Sequence, residues 1–411
     1  MTGPSRPSGF VAGAGGPPSL AAALPGQWQF WADRAVAPYG AFGRVEVTGF
    51  SASSELSGFG QGQAVIPVDG NALGRTDLLA FYTWRLWAYY QGVPVWAGLG
   101  TGLQDDGGSA VQVSLTELPG YLLRKQFVSN ATYTPAQDQT VAAADLAARL
   151  DNIGVARQID AGPGHGRSLV YNYLDGQSRG DLLVALAQLS QGPQFRAEYA
   201  VNASGLPTCT LHIAYPRVGN AGTASGLALV VPGGASTFTA TWDSAAMRTR
   251  TFAVGDLPDG AATGTKRPVV TDIRPQAGVP VLDAADDWSG ISDTAQLTDL
   301  AATAATIYAT PSLALSAVMP ISSPPLGTYA VGDDVALALS DPLIPEGYVA
   351  TAQLTKIDID ASAGTATWGL GVTTPAQRPP RSLLARLRAA EARLAAMAHN
   401  NMPPPPTGTE T

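Results

Sequence analysis

Glycine and proline punctuate this chain throughout, 46 and 32 of its 411 residues. That spacing excludes long helices over most of the length and favours short strands joined by tight turns. The runs between the breaks carry the period-two alternation of half-buried strands, as in Arg44-Val45-Glu46-Val47 and Val111-Gln112-Val113-Ser114-Leu115. The most aromatic stretch, Leu78 to Tyr90, meets the turn pair Gln91-Gly92 and then Val93-Pro94-Val95-Trp96, which reads as a hairpin with a bulge or edge at Pro94. Ala64 to Val68 is another short apolar run.

Helical periodicity breaks in at four places. Val141 to Leu150 and Asp181 to Ser190 predict short helices, the second with Ser178 as its cap and Gly192-Pro193 as its stop. Asp293 opens a third, with Leu297, Leu300, Ala304 and Ile307 on one face. Ser382 to His399 predicts a fourth, with Leu383, Leu387, Ala390, Leu394 and Met397 along one seam. Two heptads are too few to stand alone, so the seam implies packing, either between copies at a symmetry axis or on the chain's own β domain. Strands are expected at Phe195–Tyr199, Thr208–Ala214, Leu227–Val231, Phe238–Trp242, Leu313–Val318, Asp334–Leu339, Val349–Ile359 and Thr365–Leu370.

The fold class is therefore mainly β with an α+β insertion. The expected division is a flexible N-terminal arm over 1–26, which lacks the continuous apolar core of a secretory signal, and a first β domain, a small barrel or sandwich, over 27–126. An α/β insertion follows over 127–205, then a β segment over 206–270 that completes the first barrel or links domains. A second β domain, with one helix, spans 271–374, and 375–411 holds a Pro-rich linker, the seam helix and a disordered tail.

Charge decides which function classes survive. Only 14% of residues are charged, against about 25% in an average soluble protein. Such a weakly charged surface suits faces covered by neighbours better than a solitary enzyme. The net charge is −8 and lysine occurs only at positions 125, 266 and 356, so phosphate neutralisation on one basic face is excluded. No run reaches the roughly 20 apolar residues of a membrane span. One cysteine, Cys209, excludes an internal disulfide and reads as a buried thiol in an apolar strand.

Catalytic and metal patterns are missing from the sequence. His165, His212 and His399 are far apart, and no HExxH, CxxC or GxSxG spacing occurs. The loop Gly162 to Arg167 matches neither phosphate-binding fingerprint. The acidic pairs Asp105-Asp106, Asp286-Asp287 and Asp333-Asp334 read as turn or strand-start residues rather than calcium ligands. Arg179-Gly180-Asp181 overlaps a helix start and reads as a cap. No catalytic residue, metal site or cofactor is assigned, and the expectation is a non-enzymatic component of a larger assembly.

Two blocks of sequence carry a resemblance. One runs from Gly92-Val93-Pro94-Val95-Trp96-Ala97-Gly98 through Val111–Leu115 to Leu118-Pro119-Gly120-Tyr121-Leu122-Leu123-Arg124. The other comprises Asp286-Asp287-Trp288, Pro311-Ser312-Leu313-Ala314-Leu315 and Leu326-Gly327-Thr328-Tyr329-Ala330-Val331-Gly332-Asp333-Asp334-Val335. Together, over about 43–125 and 286–370, they resemble siphophage minor tail proteins of the tail-hub type. The resemblance implies two related β-barrels flanking an α/β insertion, and a trimer whose six barrels close the tail tube at the distal end of the virion and pass DNA at ejection. It implies contacts with a distal tail protein, a tape measure protein, and tail fibre or tip proteins. The chain departs from longer versions in showing no peptidase or lysin domain. A second reading, a receptor- or carbohydrate-binding tail protein, rests on the hairpin aromatics Trp84, Trp87, Tyr89, Tyr90 and Trp96, which would stack on sugars if exposed and form a core if buried. A third, a cell-wall hydrolase, has no motif behind it.

Overall fold

The computed structural model describes residues 28–372 apart from short internal stretches, among them 38–42, 172–176, 258–264 and 289–293. The expected seam residues Leu383, Leu387, Ala390, Leu394 and Met397 lie outside the described residues, as does the arm over 1–26.

The chain is mainly β, as its punctuation requires. Its first part comprises β1 (Trp28–Arg34), β2 (Gly43–Val45), β3 (Gly49–Glu55), β4 (Gln61–Pro67), the one-turn helix α1 (Arg75–Leu78), β5 (Trp84–Tyr90), β6 (Val93–Gln104) and β7 (Ala110–Glu117). The insertion adds β8 (Ala131–Tyr133), α2 (Gln139–Ala147), β9 (Val155–Asp160), β10 (Leu169–Tyr171), α3 (Arg179–Gln188), β11 (Gln194–Val201) and β12 (Pro207–Ala214). Next come β13 (Leu227–Val231), β14 (Thr237–Asp243), β15 (Arg250–Gly255), β16 (Val269–Ile273), β17 (Asp283–Trp288) and α4 (Thr294–Ile307). The last part holds β18 (Ser312–Pro320), β19 (Asp334–Asp341), β20 (Ile344–Asp360) and β21 (Thr365–Val372). Among the described residues, no helix is long and apolar enough to cross a membrane.

The hairpin read from the aromatic stretch is present. Gln91 and Gly92 both have positive φ, 52° and 80°, the geometry of a two-residue turn that matches strand twist. The register shift opposite Pro94 places a bulge where proline cannot donate to the ladder. Strand β5 is buried along its whole length because its two faces lie in different cores. Trp84, Leu86 and Ala88 point into the core shared by β1 to β7, whereas Trp87 and Tyr89 point into the core of the insertion. The unforeseen strand β1 pairs with β5 over seven residues, and its Trp28 and Phe30 pack on Phe50 of β3, at ring distances of 5.6 and 5.0 Å. Those contacts curl the sheet back on itself.

Two halves of the chain repeat one arrangement. In the first, the spatial order is β3-β4-β7-β6-β5-β1; in the second it is β14-β18-β21-β20-β19-β13. The chain visits the corresponding strands in the same sequence in both. The ladders align residue by residue. A register shift falls at Gly100/Gly102 in β6 and at Leu354/Lys356 in β20. Pro67 pairs with Ala110 as Pro320 pairs with Thr365. Following the pairing outward matches Gly49-Phe50-Ser51-Ala52-Ser53-Ser54-Glu55 to Thr237-Phe238-Thr239-Ala240-Thr241-Trp242-Asp243. One joint differs: β1 runs antiparallel to β5, and β13 parallel to β19.

The two halves are joined in one hydrogen-bonded sheet of 13 strands. The joint is made by β20, which is long enough to pair with β19 along its first part and with β3 beyond it, Lys356↔Glu55 through Asp360↔Ser51. Among the described residues, no ladder closes either half into a barrel. The segment expected over 206–270 is divided three ways. β12 belongs to the insertion, β13 and β14 to the second half, and β15 and β16 to a separate three-stranded sheet with β17. Helix α4 covers that small sheet, with Leu297 and Ala301 against Ala253, rather than the second half. This body sits between β14 and β18, where the first half has only a tight turn between β3 and β4.

The insertion packs α2 against the sheet β11-β12-β9, and α3 against α2 and the turn Leu118–Arg124. The Ser178 cap holds: its hydroxyl accepts from Asp181 N at 3.0 Å and donates to the Asp181 carboxylate. Arg179 is buried, its guanidinium donating to Asp145 O at 2.7 Å over the Phe127 ring, so the Arg179-Gly180-Asp181 tripeptide is helix-start structure.

Candidate functional site

The chemistry-bearing side chains converge where the two half-sheets and the insertion meet. At the start of β19, Gly332-Asp333-Asp334 forms a knot. The Asp333 carboxylate accepts from Asn220 N (2.8 Å), Ala330 N (3.0 Å) and the Arg196 guanidinium of β11 (3.1 Å). The Asp334 carboxylate accepts a bidentate pair from Arg217 (2.7 and 2.9 Å) and the Gly222 amide. Gly332 and Gly219 lie back to back; a Cβ on Gly219 would come within 2.4 Å of the Gly332 carbonyl, and both have positive φ. Gln353 and Gln194 exchange side-chain hydrogen bonds of 3.0 and 3.1 Å beside them. Two arginines thus hold the two carboxylates where a calcium ion would need them.

A second cluster centres on Glu117, at the end of β7 and 2% exposed. Its carboxyl accepts from Gly60 N (2.8 Å), Ser54 Oγ (2.8 Å) and Tyr199 OH (2.9 Å), which brings in the β3–β4 turn, β3 and the insertion. Burial pushes its pKa up, and these three donors only partly offset that. Burial likewise raises Tyr199 and Cys209, leaving the thiol inert. A group raised in the folded state stabilises fully below its unfolded pKa, about 4.3 for Glu, and that stability is lost as pH rises through the folded value. Glu117→Gln can satisfy the same three groups by reorienting the two hydroxyls. Urea unfolding should therefore show Glu117→Gln gaining on the parent as pH rises above about 4.3, where the parent begins to lose this stabilisation; a difference that stays flat from there upward would refute the assignment.

A third connection pairs Asp33 of β1 with Arg85 of β5, both buried. Trp87 Nε1 donates to the same carboxylate at 3.1 Å, and Arg85 reaches Ile153 O of the insertion at 2.9 Å. Burial raises the Asp33 pKa and Arg85 pulls it back.

Between these clusters lies a cleft of about 230 Å³, lined among others by Val95, Arg196, Glu198, Tyr199, Leu326 and Thr328. Its charges are already paired: Glu198 sits 3.2 Å from His212 and 3.5 Å from Arg196. His165 stacks on Tyr215. Among the described residues, no group of three or more His, Cys, Asp or Glu side chains is placed to hold a metal. Asp105 makes the expected turn contact, to Gly107 N at 2.8 Å. Asp286 and Asp287 do not sit in a turn but within β17, where Arg248 and Arg267 grip them.

Trp84, Trp87, Tyr89, Tyr90 and Trp96 are all buried, at 5% exposure or less, so the hairpin offers no stacking face for a sugar. Sequence reasoning missed Glu117, Asp33 with Arg85, and the partners of Asp333 and Asp334. A signal existed for one: Asp33 and Arg85 each sit inside an aromatic run, Trp28-Gln29-Phe30-Trp31-Ala32-Asp33 and Trp84-Arg85-Leu86-Trp87, where a lone charge requires a partner.

No protein-family model matches the chain, and no curated protein matches it in sequence. Solved structures do match its fold. The 43 kDa tail protein of prophage MuSo2 from Shewanella oneidensis superposes with a TM-score of 0.52 at 11% identity, over 84% of this chain and 98% of that one. The tail protein from Neisseria meningitidis MC58 gives 0.52 at 14% identity, over 84% and 97%. Prophage tail protein gp18 from Listeria monocytogenes gives 0.51 at 11% identity, over 88% and 98%. The fold of this chain, from end to end of those three, is one that phage tail proteins adopt.

Proposed function

We propose that this chain is a structural hub protein of a bacteriophage tail tip, three copies of which form a ring that closes the tail tube and conducts DNA at ejection. The observation that carries the reading is the duplicated half-sheet joined edge to edge by β20 and β3, in a fold shared along nearly the whole length of three phage tail proteins. Two copies of one unit per chain is what a three-chain ring with sixfold-like walls needs. The junction's buried pairs leave a rigid body rather than a reactive site, which supports a non-enzymatic role. A net charge of −8 suits a conduit that does not bind the polyanion passing through it. Its partners in this reading are a distal tail protein, a tape measure protein, and fibre or tip proteins.

Immunogold electron microscopy of particles from a producing culture tests the placement. Label confined to the distal end of a tail is the expected result. Label along side fibres would favour a receptor-binding role, and unlabelled particles would overturn the assignment.

A further inference from the structure

The duplication makes a specific statement about which strands meet between copies. Each half has a donor edge, β3 or β14, and an acceptor shelf, the part of β6 or β20 that runs on past its ladder with β5 or β19. Inside the chain one donor and one acceptor are used: β3 lies on β20. The other two are their counterparts. β5 pairs with β6 only as far as Leu99, and among the described residues no strand takes the same side of Thr101, Gly102 and Leu103. Among the described residues β14 pairs only with β18, and Thr237, Thr239 and Thr241 are exposed along it. Burial follows the same logic. Ile357, covered by β3, is 5% exposed, whereas its counterpart Leu103 is only half-buried.

We infer that β14 of one copy adds to β6 of the next, antiparallel, in the register that β3 and β20 use within the chain. Matching the ladders through the shared register shift sets Gly102 opposite Asp243, Leu103 opposite Trp242 and Gln104 opposite Thr241. The pair at Gly102 and Asp243 then stands where Lys356 and Glu55 form an ion pair at 3.4 Å. The edge and the shelf are different surfaces, so the contact is heterologous and each copy keeps one of each to offer, which generates a closed ring when the rotation divides a full turn. Pairing also removes an exposed threonine-rich edge that would otherwise invite misassociation. The identity of the occupant as a second copy rests on the tail-ring reading; the register rests on the duplication alone.

Cysteines introduced together as Gly102→Cys and Asp243→Cys test it in the full-length chain. A Cβ at position 102 meets only Ser114, at an ordinary 3.5 Å. Native Cys209 is buried and does not compete. Oxidation is expected to yield disulfide-linked multimers on non-reducing gels, with the assembled mass read by light scattering. The offset pair Gly102→Cys with Thr239→Cys is the control. Four residues at about 3.4 Å each put those positions roughly 14 Å out of register, beyond the ~7 Å limit for a disulfide, so it should link poorly. Oligomers that form without the link, or equal linking by the offset pair, would overturn the strand register while leaving the tail reading to the gold label. A chain that stays monomeric and unlinked at high concentration would overturn the pairing as well.

Discussion

Asp333→Ala is expected to lower the unfolding free energy by about 3–5 kcal/mol, the cost of leaving a buried charge and its neighbours without their carboxylate. Three donors lose their acceptor at once: Asn220 N, Ala330 N and the Arg196 guanidinium, whose side chain is itself largely buried. Arg196 keeps the Val331 carbonyl at 3.0 Å and the half-exposed Glu198 carboxylate at 3.5 Å, a longer contact that only partly offsets its charge. Asp333→Asn retains one acceptor oxygen and should fall between the two, since its amide must face at least one donor. Urea melts of the three proteins at pH 7 decide the matter. A loss within about 0.5 kcal/mol, the range of ordinary surface changes, would show that the knot does not hold the insertion to the second half-sheet.

Trp96→Ala should cost about as much, roughly 3–5 kcal/mol, through the cavity a deleted core indole leaves. The ring is fully buried over Gly62 and Gly98, where a Cβ would come within 2.7 and 2.3 Å of it. It packs edge-on to Phe50 at 5.8 Å and donates to Ser53 O at 3.0 Å. Ser53 belongs to the stretch of β3 that β20 covers, so the cavity opens directly behind the joint. Trp96→Phe should recover part of the loss. The same variant separates the two readings of the aromatic hairpin: a surface tryptophan could be removed without changing the melt, a core one could not.

What was legible in the sequence was local. The turn at Gln91-Gly92, the strand at Leu227–Val231 and the Ser178 cap depend on neighbouring residues, and each is found where its signal lies. The alternation in Thr365–Leu370 and Thr208–Ala214 likewise needs only one buried face. Trp28–Arg34 escaped because its burial depends on β5, half a hundred positions onward, rather than on its own period. The candidate site was almost wholly hidden. Asp333 and Asp334 showed as a strand start, but their arginines arrive from β11 and from the segment after β12, and no spacing rule links such distant positions. The duplication was hidden as well. Phe50 matches Phe238, Ala52 matches Ala240 and Glu55 meets Asp243, yet three of the other positions exchange small or hydroxyl residues and Ser54 meets Trp242, so only the ladders show that the two heptapeptides do the same task.

The β20–β3 joint has a consequence for synthesis. β3 leaves the ribosome long before β20, so the central sheet cannot zip until almost the whole described chain has emerged. Through that interval the first half-sheet folds with the β3 edge open, the kind of surface that recruits stray strands from neighbouring nascent chains. A message cut short before residue 344 would leave that edge bare permanently. Such fragments are expected in the pellet rather than the supernatant, and supplying β20–β21 on a separate peptide is the rescue the topology allows.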